Sequence, residues 1–474
     1  MAIKKLTTPV CIATLALSLT ACSVESLASE GDIEVVVGYQ SKTINTVTAG
    51  TLLRAQGYFE SELDKLGERT GDSYRVRWQD YDTGAPITAE MIAGKIDIGS
   101  MGDYPLLING SRSRSAGQSP TQMLSVTGYD SKGSLNLVVV REDSPLRDIA
   151  DLAGRKVSAS VGSAGHGLLL RGLAQAGVDP ASVSVQNQQP QIGASALESK
   201  QVDALSQFVA WPGQLVHQGG NRLLYNGAET NTPTLHGVVA TSRLESEQPD
   251  VTKAFLRAQI EASDFLENNP VEAAEIVADN AGLPAEVVYL YNGPTGTAFD
   301  PALRSDLIEK LGDDFDYLNS IGEFTDLDLD EFVDDGPLRE VYGDLGRNYF
   351  DEPSASASWS IGQAENDECG NPVTSEGVGG EVWIDGQAQT RVAATTECLL
   401  QTVQHARESG ERVRAAYVRD GANGARWFAD HSVWVREHDT FTPFSTESEA
   451  DGFVRENPGA TVIDFETAVS EVAS

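Results

Sequence analysis

From Ile33 onward, short apolar and β-branched runs alternate with amphipathic stretches of helical period, a pattern that calls for an α/β fold with largely parallel sheets. Ile33 to Tyr39, Tyr74 to Tyr81 and Ile96 to Ser100 read as strands, with helical segments at Thr46 to Gly67 and Ile87 to Gly94 between them. A second series runs through Leu135 to Val140, Lys156 to Ser160, Val183 to Gln186 and Ala204 to Phe208, separated by helices at His166 to Ala176 and Ile192 to Lys200. Gln122 to Tyr129 and Thr234 to Thr241 bracket this second series, which predicts two chain crossings between two lobes. Lobe 1 is expected over about residues 33–125 and 238–350, and lobe 2 over about 126–237. A helical tail from Pro249 to about Phe350 would pack back on lobe 1.

Residues 351–367, rich in Ser, Ala and acidic side chains, read as a linker. The composition then shifts: Trp359, Trp383, Trp427 and Trp434, four of the 6 tryptophans, follow Glu352. A small α+β domain over 368–474 is predicted, with a strand at Gly380 to Ile384, a helix at Thr396 to Glu408, and strands at Arg412 to Val418 and Ser432 to Val435. A chain of 474 residues exceeds one compact core, in keeping with this division.

The N-terminus carries a different grammar. A basic start with Lys4 and Lys5, an apolar run from Leu6 to Leu19, and the small residues of Leu19-Thr20-Ala21-Cys22 read as a lipoprotein signal over residues 1–22. The mature chain would begin at Cys22, held to the cell membrane on its outer side by acyl chains, with residues 23–32 as a tether. The apolar run is too short to span a bilayer.

With 70 acidic against 34 basic residues, the formal net charge is −36. Such an excess argues against nucleic acid and anionic membrane surfaces as partners. A small anion is still compatible, because a closed site is governed by its own amides and dipoles. Once Cys11 leaves with the signal and Cys22 is lipidated, Cys369 and Cys398 remain, and in an oxidising compartment two such thiols are expected to pair.

The segments Gly38-Tyr39-Gln40, "RAQGYFESEL", "GKIDIGSMGDYPLL", "VGSAGHGLLLRGLAQAG" and "VDALSQFVAWPGQL" resemble the periplasmic solute-binding proteins of ABC importers for nitrate, sulfonates and taurine, over roughly Ile33 to Phe350. The resemblance implies a type II periplasmic-binding-protein fold with two α/β lobes, a hinge and a ligand in the cleft. It also implies a monomer that hands a small solute to an ABC permease and ATPase, with no enzymatic step and no cofactor. The same family contains hydroxymethylpyrimidine-forming enzymes marked by a CCCFC motif, and nothing like it occurs in this chain.

Ligands of open α/β sheets bind beyond the carboxyl ends of strands, where helix N-termini present free amides. On that ground the candidate ligand residues are Tyr39, Gln40 and Ser41 after the first strand, together with the neighbouring Lys42 and Thr43. Ser100, Met101, Gly102 and Asp103 follow the third strand, and Ser163, Ala164, Gly165 and His166 start a helix of the other lobe. Phe208 and Trp211 would form apolar walls. Ser163 also reads as a helix cap, a role compatible with ligand contact. Asp103 opposes an anion, so it reads either as a helix-start residue or as a partner for an ammonium group, as in zwitterionic taurine. His236 reads as structural.

The C-terminal domain resembles NosL-type proteins, linked to copper delivery, through "CGNPV", "AATTECLLQTV", "RVRAAYVRDGANGARWFADHSVWV" and "TPFSTESEADGFVRENPGATVIDFE". It departs from the family where Cys-Gly-Met becomes Cys369-Gly370-Asn371, and it lacks methionine altogether, so thioether donors suited to Cu(I) are missing. A disulfide between Cys369 and Cys398 is the leading expectation, with copper held by Cys369, Cys398 and His431 as the alternative. A metallochaperone and a ligand sensor coupled to a membrane receptor are therefore the competing functions to solute import.

Overall fold

The structure, a computed structural model, describes residues 32–117, 119–321, 327–350, 366–374 and 378–472. The signal with Cys22, the tether up to residue 31, the linker up to residue 365 and Trp359 lie outside the described residues. Among the described residues no helix is long and apolar enough to cross a membrane.

The strands of the two lobes are β1 (Ile33–Tyr39), β2 (Tyr74–Asp80), β3 (Ile98–Gly102), β4 (Thr121–Asp130), β5 (Asn136–Arg141), β6 (Lys156–Ala159), β7 (Ser184–Asn187), β8 (Ala204–Phe208), β9 (Asn221–Asn226) and β10 (Thr234–Thr241). They form two five-stranded sheets, ordered β2-β1-β3-β10-β4 and β7-β6-β8-β5-β9. The sheets share a plan: three parallel strands, then one reversed strand (β10 or β5), then an edge strand antiparallel to it. In each sheet the reversed strand is the one the chain enters on arriving from the other lobe. β4 and β10 both belong to the first sheet, so the crossings fall at 131–135 and 227–233, a few residues inside the expected span of lobe 2 at each end.

Several elements escaped the sequence pattern, two of them in the lobes being instructive. The helix Asp103–Ala116 has no apolar stripe because its polar Asn109, Ser111 and Ser113 are buried along with Leu106 and Leu107. Its core side is wired instead by hydrogen bonds, including Thr121 Oγ1 to Asn109 Oδ1 at 2.5 Å and Asn109 Nδ2 to Thr88 Oγ1 at 3.2 Å. The edge strand β9 is interrupted by the register shift opposite Val138 and Val139.

The expected helical tail packs on lobe 1 only in part. The helix Pro249–Asn268 buries Val251, Phe255 and Leu256 against Phe59 and Leu63 of lobe 1. The next two helices, Pro270–Ala281 and Ala285–Asn292, instead join one continuous apolar cluster with Ile44 and Leu52 of lobe 1, Val139 and Leu205 of lobe 2, and Trp383 and Tyr417 of the C-terminal domain. Asn292 Nδ2 donates to the Ile44 carbonyl at 2.7 Å, and Tyr291 packs against Gly213 of lobe 2. This helix is thus a junction of all three bodies.

The C-terminal domain contains β11 (Gly380–Ile384), β12 (Arg391–Ala393), β13 (Val413–Arg419), β14 (Arg426–Phe428), β15 (Val433–Glu437), β16 (Thr440–Phe444) and β17 (Thr461–Ile463). They form sheets ordered β12-β11-β13-β14 and β16-β15-β17. The helix Thr396–Glu408 covers the first sheet with Leu399, Leu400 and Val403, and Thr395 caps it by accepting from the Cys398 amide. Trp434 is core and its indole donates to the Ala429 carbonyl at 2.8 Å. Cys369 and Cys398 are joined as a disulfide.

Candidate functional site

A cavity of about 150 Å³ lies between the lobes, at the carboxyl ends of β1, β3, β6 and β8. Lobe 1 contributes Gln40, Thr43, Thr83, Gly84, Ala85, Gly102, Pro105 and His236; lobe 2 contributes Ser160 to Ala164, Asn187, Gln189 and Phe208. Four of these residues, Thr83, Gly102, Ser163 and Gln189, stand at the N-caps of the helices Gly84–Ile92, Asp103–Ala116, Ala164–Gln175 and Pro190–Glu198. Two helix starts from each lobe therefore face one small space with their amides and positive dipole ends. No Asp, Glu, Lys or Arg is among the lining residues. Without a fixed ionic charge, the electrostatic character of the cleft comes from oriented amides, which favour an anion.

Neighbouring contacts hold this arrangement in place. Gln40 Nε2 donates to the Ser100 carbonyl at 3.1 Å, tying the end of β1 to β3. The Ser160 hydroxyl donates to the Gln188 carbonyl at 2.9 Å and accepts from Gln207 Nε2 at 3.0 Å. His236 is buried and uncharged, its pKa lowered to about 3 by burial. Asn45 Nδ2 stands 2.7 Å from His236 Nδ1 and 3.3 Å from its Nε2. His236 therefore stays neutral above about pH 4, and solute capture is expected to show no inflection near pH 6 to 7 from this ring.

Two glycines are fixed by close approach. A Cβ at Gly102 would sit 2.9 Å from His236 Nε2, and one at Gly165 would sit 2.6 Å from the Gln207 Cα. The second obstacle is backbone and has no rotamer to yield. Gly165→Ala is expected to push the helix start off the sheet and to destabilise the protein by about 1–3 kcal/mol, measurable by urea denaturation. An unchanged midpoint would show that the helix is not seated as closely as described.

The lobes touch on either side of the cavity. The Ala210 amide donates to the Lys42 carbonyl at 3.2 Å, and the Tyr104 ring rests on Gly167. Arg171 of lobe 2 pairs with the buried Asp314 at 2.7 Å, its guanidinium over the Tyr317 ring. These contacts describe a closed clamp.

Of the residues expected from sequence, Gln40, Gly102, Ser163, Ala164 and Phe208 line the cavity, as does Thr43. The others are corrected by their packing. Tyr39 is buried beneath the site against Trp78 and takes a hydrogen bond from Arg54 at 3.1 Å. Ser41 is turned to Asp80, which accepts from both its amide and its hydroxyl. Ser100 and Met101 alternate into the sheet's interior, where Met101 is fully buried. Gly165 lies against β8, and His166 folds back to accept the Gly162 amide at 3.4 Å. Trp211 is buried at the start of its helix, with Lys42 Nζ 5.2 Å from the ring centre.

Asp103 points away from the cleft. Its carboxylate accepts from the Tyr104 amide and from Thr234 Oγ1, both at 2.7 Å, beside Arg171 and Asp314. It therefore meets no ligand ammonium, and the argument for a zwitterion loses its residue. Sequence reading missed Thr83 to Ala85, Pro105, Ser160 to Gly162, Asn187, Gln189 and His236. A Thr before a glycine-led helix at Thr83-Gly84 and a Gln before Pro190 are the signals that were available.

The copper set of the C-terminal domain is not assembled. The sulfurs of Cys369 and Cys398 are committed to each other, and among the described residues Asp367 is the group that stands with them. Asp367 is occupied by amides of Cys369, Asn371 and Ala394, while His431 stands against Phe428. This donor set does not fit a copper ion.

Residues 112–273 match the family described as NMT1/THI5 like. The chain is 27% identical over 274 residues to the putative aliphatic sulfonates-binding protein of Escherichia coli (strain K12), covering 58% of this chain and 80% of that protein. It is 23% identical over 237 residues to the taurine-binding periplasmic protein of the same organism, covering 49% and 70%. Among solved structures, the alkanesulfonate-binding protein SsuA from Xanthomonas axonopodis pv. citri bound to MOPS superposes with a TM-score of 0.53 at 20% identity, over 64% of this chain and 99% of that one. The two lobes have the periplasmic-binding-protein fold, with an additional C-terminal sheet domain, and these two curated relatives are named for binding aliphatic sulfonates and, as a periplasmic protein, taurine.

Proposed function

We infer that the chain captures a small organic anion of the sulfonate class, taurine included, by closing its two lobes. The solute would then pass to the permease and ATPase of an ABC importer. The convergence of four helix N-termini, two from each lobe, on an uncharged cavity of about 150 Å³ carries this reading. The volume equals roughly five waters, enough for a sulfonate head with a short carbon stem along Phe208, Val161 and Pro105. The relatives named for aliphatic sulfonates and taurine support the same ligand class. Tethering outside the cell through Cys22 completes the reading and rests on the signal pattern alone. Binding needs no bond chemistry, and the disulfide between Cys369 and Cys398 supports a role without copper.

The net charge of −36 does not oppose capture. Surface carboxylates are screened within about 8–10 Å in physiological salt, while the cleft amides act at contact.

The test is thermal unfolding of the signal-free chain with methanesulfonate, ethanesulfonate, taurine, sulfate and nitrate. A ligand present at 100 times its Kd stabilises by about 2.7 kcal/mol, so at least one sulfonate should raise Tm by several degrees. Ala85→Asp, which sets a carboxylate among the helix starts, should abolish that shift while leaving the unliganded Tm near the parent value. A panel with no shift at millimolar concentration, or a shift that survives Ala85→Asp, would sink the reading.

A further inference from the structure

Three charged side chains meet where the lobes touch beside the cleft, and two of them are acids. Asp103 opens the helix Asp103–Ala116 of lobe 1, and Asp314 stands on the helix Ser305–Ile321, which packs against it and shares the lobe 1 core through Leu307 and Leu311. Both acids are 2% exposed. Arg171 comes from lobe 2, on the helix Ala164–Gln175, and its Nη2 donates to Asp314 Oδ1 at 2.7 Å and to the Tyr104 hydroxyl at 3.4 Å. Ala164 and Leu168 of that helix join Arg171, Asp103 and Asp314 around a void of about 30 Å³, too small for a solute. Lobe 2 thus completes the burial of both acids. Fully ionised, the three side chains hold a surplus negative charge out of water, and one proton makes them neutral. Burial pushes the Asp103 carboxyl up, against the hydrogen bonds from Thr234, Tyr104 and Leu235 and the charge of Arg171; Asp314 is pushed up to about 7, first by burial and then by Asp103. Among the described residues no other facing group supplies the missing cation: Lys310 is paired with Asp313 at 3.1 Å, and burial keeps the Tyr104 and Tyr317 phenols uncharged.

We propose that Arg171, Asp314 and Asp103 are positioning residues for capture, forming a cross-lobe latch that takes up one proton as the clamp shuts. The inference rests on the reading that the two lobes part and close around solute. The juxtaposition carries it: one guanidinium from lobe 2 serves two buried carboxylates of lobe 1. When lobe 2 turns away it takes Arg171 with it and admits water, and both acids then ionise near the ordinary value of 3.8. The closed clamp therefore binds a proton more tightly than the open one. That contribution to closure is full below about pH 4 and is lost as pH climbs through about 7. None of the three lines the solute cavity, so the latch sets how firmly the clamp stays shut and not what it holds. Solute is accordingly held hardest in mildly acidic surroundings.

The experiment reads the lobes without solute, so a wrong ligand class would leave its outcome untouched. Nitroxides are placed on the exposed Ser61 of lobe 1 and Ser199 of lobe 2 through S61C and S199C in the oxidised, signal-free chain. The interlobe distance distribution is then measured by pulsed dipolar spectroscopy at pH 5.5 and pH 8.5. In the parent the ratio of open to closed clamp is expected to rise about tenfold from the lower to the higher pH. D314N removes the surplus charge and leaves Arg171 to Asp103, so its ratio should barely change with pH and should lie below the parent's at pH 8.5. An ion pair with a merely structural role would give the reverse, a clamp that opens once the pair is broken. R171M strands both acids without a cation and is expected to open further than the parent at pH 8.5. Glu229 and Glu449 titrate over the same range in every variant, so the contrast between parent and D314N isolates the latch. A parent ratio that does not move with pH would overturn the proposal, as would a D314N ratio that moves as far as the parent's or an R171M clamp no more open than D314N at pH 8.5.

Discussion

Arg426→Ala is expected to lower the first unfolding transition of the full chain by on the order of 10 °C, the largest stability effect of any single substitution considered. The guanidinium lies between the Tyr289 and Tyr417 rings, 4.8 and 4.4 Å from their centres, while pairing with Glu381 and donating to the Pro294 carbonyl. Removing it strands a buried carboxylate and a carbonyl at the seam between two bodies. Breaking one partner of such a pair costs about 3–5 kcal/mol, and in domains of this size each kcal/mol moves Tm by about 2–4 °C. Replacing both ions, as Arg426→Met with Glu381→Leu, should recover more than half of the loss, because the apolar walls of Trp383, Tyr289 and Tyr417 are already present. Calorimetry decides the matter: a fall of less than about 2 °C in Arg426→Ala would mean that the pair is hydrated and the seam loose.

The second large effect is on pH. Glu449 faces Asp420 and Glu229 where the C-terminal domain meets the 227–233 crossing, and its pKa is held up to about 8, first by burial and then by those two carboxylates. Glu229 is raised to about 7, again first by burial, then by Asp420 and Asp148. Both groups bind protons more tightly in the folded state than at the ordinary value of 4.5. Their contribution to stability is therefore full below about pH 4.5 and is lost as pH climbs through about 7 to 8. The nearby cations, Arg147 and Arg222, are engaged with Glu447 and do not neutralise the cluster. Glu449→Gln keeps an acceptor for Asn423 Nδ2, which donates to Glu449 at 2.7 Å, and removes the titration. The parent Tm should decline between pH 5 and pH 8 while that of Glu449→Gln declines less, leaving the variant the more stable at pH 8. Parallel Tm curves for the two proteins would refute the assignment.

The architecture was legible because most of its elements are half-buried and periodic. The strand at Ile33–Tyr39 and the helix at Thr396–Glu408 emerge with the ends expected of them. Asp103–Ala116 was not legible because both its faces are buried, and burial of Asn109 and Ser113 erases the amphipathic signal. The site was legible as a set of loops but not as a set of side chains. The strand β3 runs to Gly102 rather than ending at Ser100, so Met101 belongs to the sheet and its core instead of the loop beyond it. Asp103 illustrates a further limit: its place at a helix start was readable, but its attachment to Thr234, 131 positions away, was not.

The grip of the cleft is built from main-chain amides at helix starts, whereas its walls are the side chains of Thr83, Asn187, Gln189 and Phe208. Mutation can resculpt those walls one at a time without dismantling the part that holds the charge. A lineage carrying this scaffold can therefore drift from one nutrient to another through intermediates that all still bind something, which makes duplicated copies easy to specialise.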